Sequence, residues 1–284
     1  MSNRIDTAFE ACRAEERKAL VLFATAGDPS LPFTERLLPR LAEAGADILE
    51  VGVPFSDPMA DGPTIQAASQ RALAAGTTLE GILEMIARLR RDGLDTPIVL
   101  FSYCNVLLQY GAERLAQRAA EVGVDGCLVV DMPAEERDEL RPLLEAHGLH
   151  WINLIAPTTP PERARRLLED ASGFTYFITV KGVTGARAAL PPDLRARVMQ
   201  VRDLSPVPVV AGFGVSSPEM ARTVAETADG VVVGSALVRT VNESADEEEA
   251  LRKAGEFVAG LGTAMNVGLN ARSGAPRSGI RRRA

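Results

Sequence analysis

Eight short apolar runs, separated by segments of helical periodicity, restrict this chain to very few folds. The runs fall at residues 19–24, 48–53, 98–102, 126–130, 151–155, 174–180, 207–211 and 230–234. They are rich in Val, Ile, Leu and Phe and are apolar almost throughout, as expected of parallel strands covered on the outside by helices. Amphipathic segments lie between them at 33–44, 64–75, 79–91, 112–122, 135–147, 161–169, 193–203, 217–226 and 245–260. Eight strand–helix units in 284 residues point to an α/β fold of the (β/α)8 TIM barrel type. The competing open, doubly wound sheet normally carries a glycine fingerprint after its first strand. Here the glycines cluster after the sixth to eighth runs. An extra helix at 5–13 is placed to close the barrel floor, and 64–75 is an extra helix after the second strand. Residues 1–262 are expected to form one catalytic domain. Residues 263–284 turn to Gly, Ser, Asn and Arg and are expected to form a disordered tail.

Glu50 interrupts the second apolar run, where a carboxylate is costly to desolvate. A loop dense in Pro, Gly, Ser and Asp follows and ends on a second acid, Asp61. In barrels of this type the active site lies at the C-terminal ends of the strands. One acid on a strand end and one on the loop beyond it can hold different protonation states, as proton transfer at two atoms of one substrate requires. Taken alone, Glu50 reads more readily as a strand-end acid paired with a neighbouring Arg, and it is the full segment that points to chemistry.

The loops after the last three strands are built for an anion. Gly212-Phe213-Gly214 ends the seventh run and Gly234-Ser235 ends the eighth. Such turns let backbone N–H groups reach a phosphate, although any single glycine pair is ordinarily a simple turn. The sixth loop, 182–190, carries Gly, Thr and Arg with few apolar anchors, and is either a lid or an ordinary surface loop. Phe23, Leu100, Tyr103, Leu128, Val130 and Phe213 are expected to line the mouth and suit a flat aromatic substrate, though each alone would pass as core filling. Tyr176, at the end of the sixth strand, either hydrogen-bonds inside the mouth or fills it.

Composition narrows the function classes. The net charge is −7, and without the five Arg of the last 20 residues the chain carries 26 basic against 38 acidic residues, so general nucleic-acid binding is not expected. Aromatic residues make up 5%, too few for interleaved stacking surfaces. Cys12, Cys104 and Cys127 are scattered and odd in number, which suits reduced thiols of a cytoplasmic protein. The first 18 residues are charged and lack an apolar core, so no secretory signal is expected. No apolar run approaches the ~20 residues of a membrane span. No Cys/His cluster has metal-ligand spacing, so no metal site is expected.

The order and content of these motifs resemble the tryptophan synthase alpha chain family over about residues 5–261. The resemblance rests on Thr25-Ala26-Gly27-Asp28-Pro29, the loop from Pro54 to Thr64, Tyr103-Cys104-Asn105, Asp131-Met132-Pro133, Ala156-Pro157-Thr158, Gly182-Val183-Thr184-Gly185, Gly212-Phe213-Gly214 and Gly234-Ser235-Ala236. The Pro54–Thr64 loop is the most specific. The resemblance implies reversible retro-aldol cleavage of indole-3-glycerol phosphate to indole and glyceraldehyde 3-phosphate. By that carry-over Asp61 accepts the indole N–H proton. Glu50 protonates C3 of the ring and then takes the hydroxyl proton, and Tyr176 joins the catalytic group. Thr184 bonds Asp61 on closure, and Gly185, Gly214, Gly234 and Ser235 hold the phosphate. Phe23, Leu100, Leu128 and Phe213 sandwich the indole. No cofactor is implied in this chain. Pyridoxal phosphate belongs to the family's beta chain, which Pro54, Phe55, Asp57 and Asn105 are expected to contact. Val130 and Thr179 stand where the family usually has a smaller residue or Pro, and Ser. The Arg-rich tail matches no part of the family pattern. A freestanding lyase that releases indole, and a silent phosphate-binding barrel that regulates a partner, are the competing readings.

Overall fold

A computed structural model describes residues 3–133, 135–178, 193–212 and 214–266. The described residues form nine strands: β1 (Ala19–Thr25), β2 (Ile48–Gly52), β3 (Ile98–Ser102), β4 (Gly126–Val129), β5 (His150–Trp151), β6 (Asn153–Ile155), β7 (Thr175–Ile178), β8 (Val209–Gly212) and β9 (Gly230–Val233). Every pairing is parallel, in the order β5-β4-β3-β2-β1-β9-β8-β7-β6. Only Ile152 separates β5 from β6. The two ends of the sheet are therefore halves of one interrupted strand, and the chain itself closes the barrel. Nine segments thus make the eight staves expected of a (β/α)8 fold.

Side chains alternate across this wall. Val21, Phe23, Ile48, Val99, Phe101, Leu128, Tyr176, Val210 and Val232 fill the barrel. Leu22, Leu49, Val51, Leu100, Cys127, Phe177, Ala211 and Val231 face the helices instead. The N-terminal helix Arg4–Ala14 seals the floor: Ile5, Phe9 and Cys12 join the interior cluster, and the Phe9 ring sits 5.8 Å from Phe174. Asn3 caps that helix by accepting the Ile5 N–H, as N-cap side chains do. Buried Asp125 ties it down by accepting from Arg4, Arg90 and the Ile98 N–H.

Three local expectations change. Segment 135–147 is not one helix. It is a 3-10 turn, Arg137–Glu139, followed by the short helix Arg141–Ala146. Leu140 leaves helical geometry (φ −121°), and Pro142 has no N–H to carry a helix onward. Two short helices, Cys104–Tyr110 and Ser235–Asn242, lie where the sequence reads as loop. The last helix, Glu247–Met265, continues past the composition change after residue 261, with Met265 buried.

At the barrel mouth, Gly52 of β2 lies beneath the Phe23 ring, and a Cβ there would sit 2.5 Å from Phe23 Cζ. Gly52→Ala must displace that ring, so it is expected to destabilise the fold by about 1–3 kcal/mol, measured by urea unfolding.

Candidate active site

Residues Ile48, Glu50 and Gly52 share one face of β2, and Ile48 belongs to the barrel interior. Strand parity therefore drives Glu50 inward, beside Phe23 and Val99, its register partners on β1 and β3. The residue is 1% exposed, and among the described residues neither carboxyl oxygen has a hydrogen-bond partner. Burial pushes its pKa up to about 8, because desolvation disfavours the charged form.

Asp61 reaches the same cavity from the loop after β2, just before the helix Pro63–Ala74. Three bonds fix it. Its N–H donates to the Pro58 carbonyl (3.0 Å), its carbonyl accepts from Gln66 Nε2 (2.8 Å), and its Oδ2 accepts from the Tyr103 hydroxyl (3.0 Å). Burial raises its pKa to about 6, against the lowering effect of the Tyr103 bond. Tyr176, buried on β7, completes the acidic end. Burial, and then the neighbouring Glu50 and Asp61 charges, hold its hydroxyl well above the usual phenol range.

These three groups share a cleft of about 470 Å³, counting its open mouth. Phe23, Phe101, Ile65 and Val232 supply its apolar wall. The Phe23 and Phe101 rings meet edge to face at 5.0 Å. Gly214, Gly234 and Ser235 line the same cleft, with Gly234 close against Phe23. Gly234 precedes the helix Ser235–Asn242 and gives it no side-chain cap. The leading N–H groups of that helix are the kind that hold anions. Gly214 has φ 82°, which side-chain-bearing residues rarely adopt.

A buried staple aligns the parts. Asp28, 5% exposed on the loop after β1, accepts both Arg71 nitrogens (2.8 and 2.9 Å) from Pro63–Ala74 and Asn242 Nδ2 (3.3 Å) from Ser235–Asn242.

Of the residues expected at the site, Glu50, Asp61, Tyr176, Phe23, Gly214, Gly234 and Ser235 are brought together. Leu100 is not: it points into the helix layer, and Phe101, one residue on, takes the inner position. A one-residue slip in a strand reverses the face, and a continuously apolar run hides it. Leu128 is buried in the interior but does not line this cleft. Val130 borders a separate pocket with Met132, Trp151 and Leu154. Tyr103 holds Asp61 rather than lining the cleft. Thr184, Gly185 and Phe213 lie outside the described residues. Among the expected contact residues, Pro54 is buried, Phe55 half-buried, and Asp57 and Asn105 exposed. The sequence reading missed Met59 beside them, 75% exposed. It also missed Ile65 and Val232, which regular strand and helix periodicity could have flagged. Among the described residues, no group of three or more His, Cys, Asp or Glu side chains could hold a metal ion.

The family model described as tryptophan synthase alpha chain matches residues 9–266. The tryptophan synthase alpha chain of Citrifermentans bemidjiense is 51% identical over 259 residues, covering 91% of this chain and 96% of the relative. That of Geobacter sulfurreducens is 50% identical over 263 residues, covering 93% and 99%. A crystal structure of the alpha chain from Legionella pneumophila superposes with a TM-score of 0.86 at 38% identity, covering 94% of this chain and 99% of that one. A chain of Mycobacterium tuberculosis tryptophan synthase gives 0.85 at 34%, covering 94% and 100%.

The Glu50 environment also affects stability. Its folded-state pKa, about 8, exceeds the ordinary 4.5, so the folded protein holds an extra proton between those values. Stability from this group is full below about pH 4.5, falls as pH rises, and levels off above about 8. Glu50→Gln is therefore expected to raise stability at pH 9 by on the order of a few kcal/mol and to change it little at pH 5, measured by denaturant titration at both pH values.

Proposed function

This chain belongs to the tryptophan synthase alpha chain family, and from that premise we propose that Glu50 and Asp61 are its acid–base pair. The family reaction is the lyase cleavage of indole-3-glycerol phosphate to indole and glyceraldehyde 3-phosphate, and this chain is the alpha subunit that performs it. The residue roles are our reading. The observation that supports them is the pair of unequally raised carboxyls in one cleft: about 6 at Asp61 and about 8 at Glu50. Between those values Asp61 is ionised while Glu50 keeps its proton.

That combination suits the chemistry. Glu50, as a carboxylic acid, delivers its proton to C3 of the indole. Asp61 accepts the ring N–H and balances the positive charge that C3 protonation creates. Glu50, now a carboxylate, takes the proton of the hydroxyl on the adjacent side-chain carbon. The C–C bond breaks, its electrons return to the ring, and an aldehyde forms. Glu50 ends protonated, so the cycle closes without a cofactor. Phe23 and Phe101 together form an apolar wall against the flat ring. Gly214, Gly234, Ser235 and the start of Ser235–Asn242 receive the phosphate. By family resemblance, Thr184 and Gly185 add a bond to Asp61 and a phosphate contact.

The partner we propose is a pyridoxal-phosphate beta chain, docked on the face bearing Phe55, Asp57 and Asn105. Met59, two residues after Asp57, and Leu108, on the helix that carries Asn105, are exposed apolar side chains that favour burial by a partner. A cytoplasmic setting fits the three free thiols.

The test follows indole release from indole-3-glycerol phosphate across pH, with and without a beta chain. The expected kcat/KM profile is a bell with limbs near about 6 and 8. Glu50→Gln and Asp61→Asn should each lose about 10²-fold or more. Parent-like rates in either variant would refute its role, and fast turnover indifferent to a beta chain would favour a freestanding lyase.

A further inference from the structure

The barrel wall has a seam where β5 gives way to β6. Through Trp151 the chain pairs with β4, at Gly126↔His150 and Cys127↔Trp151. From Asn153 onward it pairs with β7 instead. Among the described residues no ladder joins β4 to β6, and a cavity opens there between the wall and the helix Pro161–Leu168. Counting its open mouth it measures about 720 Å³, against about 470 Å³ for the cleft that holds the two acids. Val129 and Met132 line one side, Trp151 and Asn153 the other, and Leu167 faces them from the helix. Trp151 and Ile155 belong to the helix-side core and Ile152 to the barrel interior, so strand parity turns Asn153 outward with Trp151. Neither Glu50 nor Asp61 lines this cavity.

Asn153 is out of place on such a wall. It is 6% exposed, its Oδ1 accepts from Arg137 at 3.4 Å, and its Nδ2 has no hydrogen-bond partner. The bond from Arg137 settles which end of the amide is the acceptor, so the end left over is a donor. Unpaired buried donors are rare, because their desolvation is not repaid. The other polar groups of the cavity have the same sign. Arg163 is the one cation among the described lining residues, and no acid lines it. Its partner Glu135, at 3.0 Å, is exposed, and such surface pairs are weak, so the guanidinium can turn to a ligand. Thr159 Oγ1 accepts the Ala156 N–H at 3.2 Å, which leaves its O–H to donate. Donors and a cation set in an apolar wall with an indole ring call for a flat molecule that carries a negative acceptor.

We propose that the seam cavity is a second small-molecule site that takes an aromatic carboxylate. The ring lies among Trp151, Met132 and Leu167, and the carboxylate accepts from Asn153 Nδ2 with Arg163 at the rim. The site is separate from the acid–base cleft, and no step of the lyase reaction uses it.

Trp151 is the single tryptophan of the chain, so its emission reports on this cavity. The experiment titrates the full-length protein with benzoate and follows that emission. Benzoate should give a saturable change. Benzylamine, which carries a cation on the same ring, should give none. Glyceraldehyde 3-phosphate, which the proposed reaction places in the acid cleft, should not displace benzoate. Asn153→Leu keeps the side-chain volume and removes the donor. It should weaken benzoate binding about tenfold or more and leave indole release from indole-3-glycerol phosphate at the parent rate. Arg163→Gln, on the exposed rim, should weaken binding about threefold. The absence of a saturable change at millimolar benzoate overturns the site. Displacement by glyceraldehyde 3-phosphate would put the probe in the acid cleft and overturn it equally. An equal response to benzylamine, or parent affinity in either variant, overturns the assignment of a carboxylate.

Discussion

An uncompensated carboxyl in the middle of a barrel strand governs this molecule. Among the described residues Glu50 meets neither a cation nor a hydrogen-bond donor, and burial desolvates its charge. In an ordinary core such a group would be replaced by Leu or Met, because an unpaired buried charge is among the costlier features a fold can carry. Here the cost takes the form of a retained proton. The rest of the cleft holds a second acid that accepts a hydrogen bond from one phenol, an apolar aromatic wall, and the start of the Ser235–Asn242 helix.

The barrel makes this arrangement possible. Parallel strands put every second side chain inside, so one carboxyl can be held rigidly without any loop. Asp61, by contrast, is on a loop and needs external bonds to stay put. Gln66 and Pro58 hold its backbone, and Tyr103 holds its carboxylate. Strand and loop therefore divide the work, one giving burial and the other giving adjustable hydrogen bonding. The Asp28 staple ties the Pro63–Ala74 helix, which follows Asp61, to the Ser235–Asn242 helix.

The sequence states the acids clearly, because a Glu inside an apolar run and an Asp closing a Gly- and Pro-rich loop both violate their surroundings. The eight staves were legible for the opposite reason: their runs obey the rule for buried parallel strands. Parity was not legible. In Ile98–Ser102 nearly every residue is apolar, so nothing distinguishes Leu100 from Phe101 as the inner side chain. Register against β2 decides it, and register is a tertiary property. Cys104–Tyr110 and Ser235–Asn242 were missed because seven or eight residues hold too little periodicity to stand out. The break at Ile152 likewise leaves no local mark, since a Trp-Ile-Asn-Leu-Ile run reads as one strand. Tyr103 was expected to line the mouth among the residues suited to a flat aromatic substrate. Its hydroxyl instead bonds Asp61, 42 residues away, a tertiary contact that no local pattern marks.

The central claim is that Glu50 carries a proton at neutral pH solely because of where the strand holds it. Difference infrared spectroscopy of the resting protein, with Glu50→Gln as the reference, reads this directly through the carboxylic C=O band. The account predicts a protonated Glu50 at pH 7 that titrates near about 8. A band already lost by pH 5 would mean an ordinary, solvated carboxylate, and would contradict the account at its base.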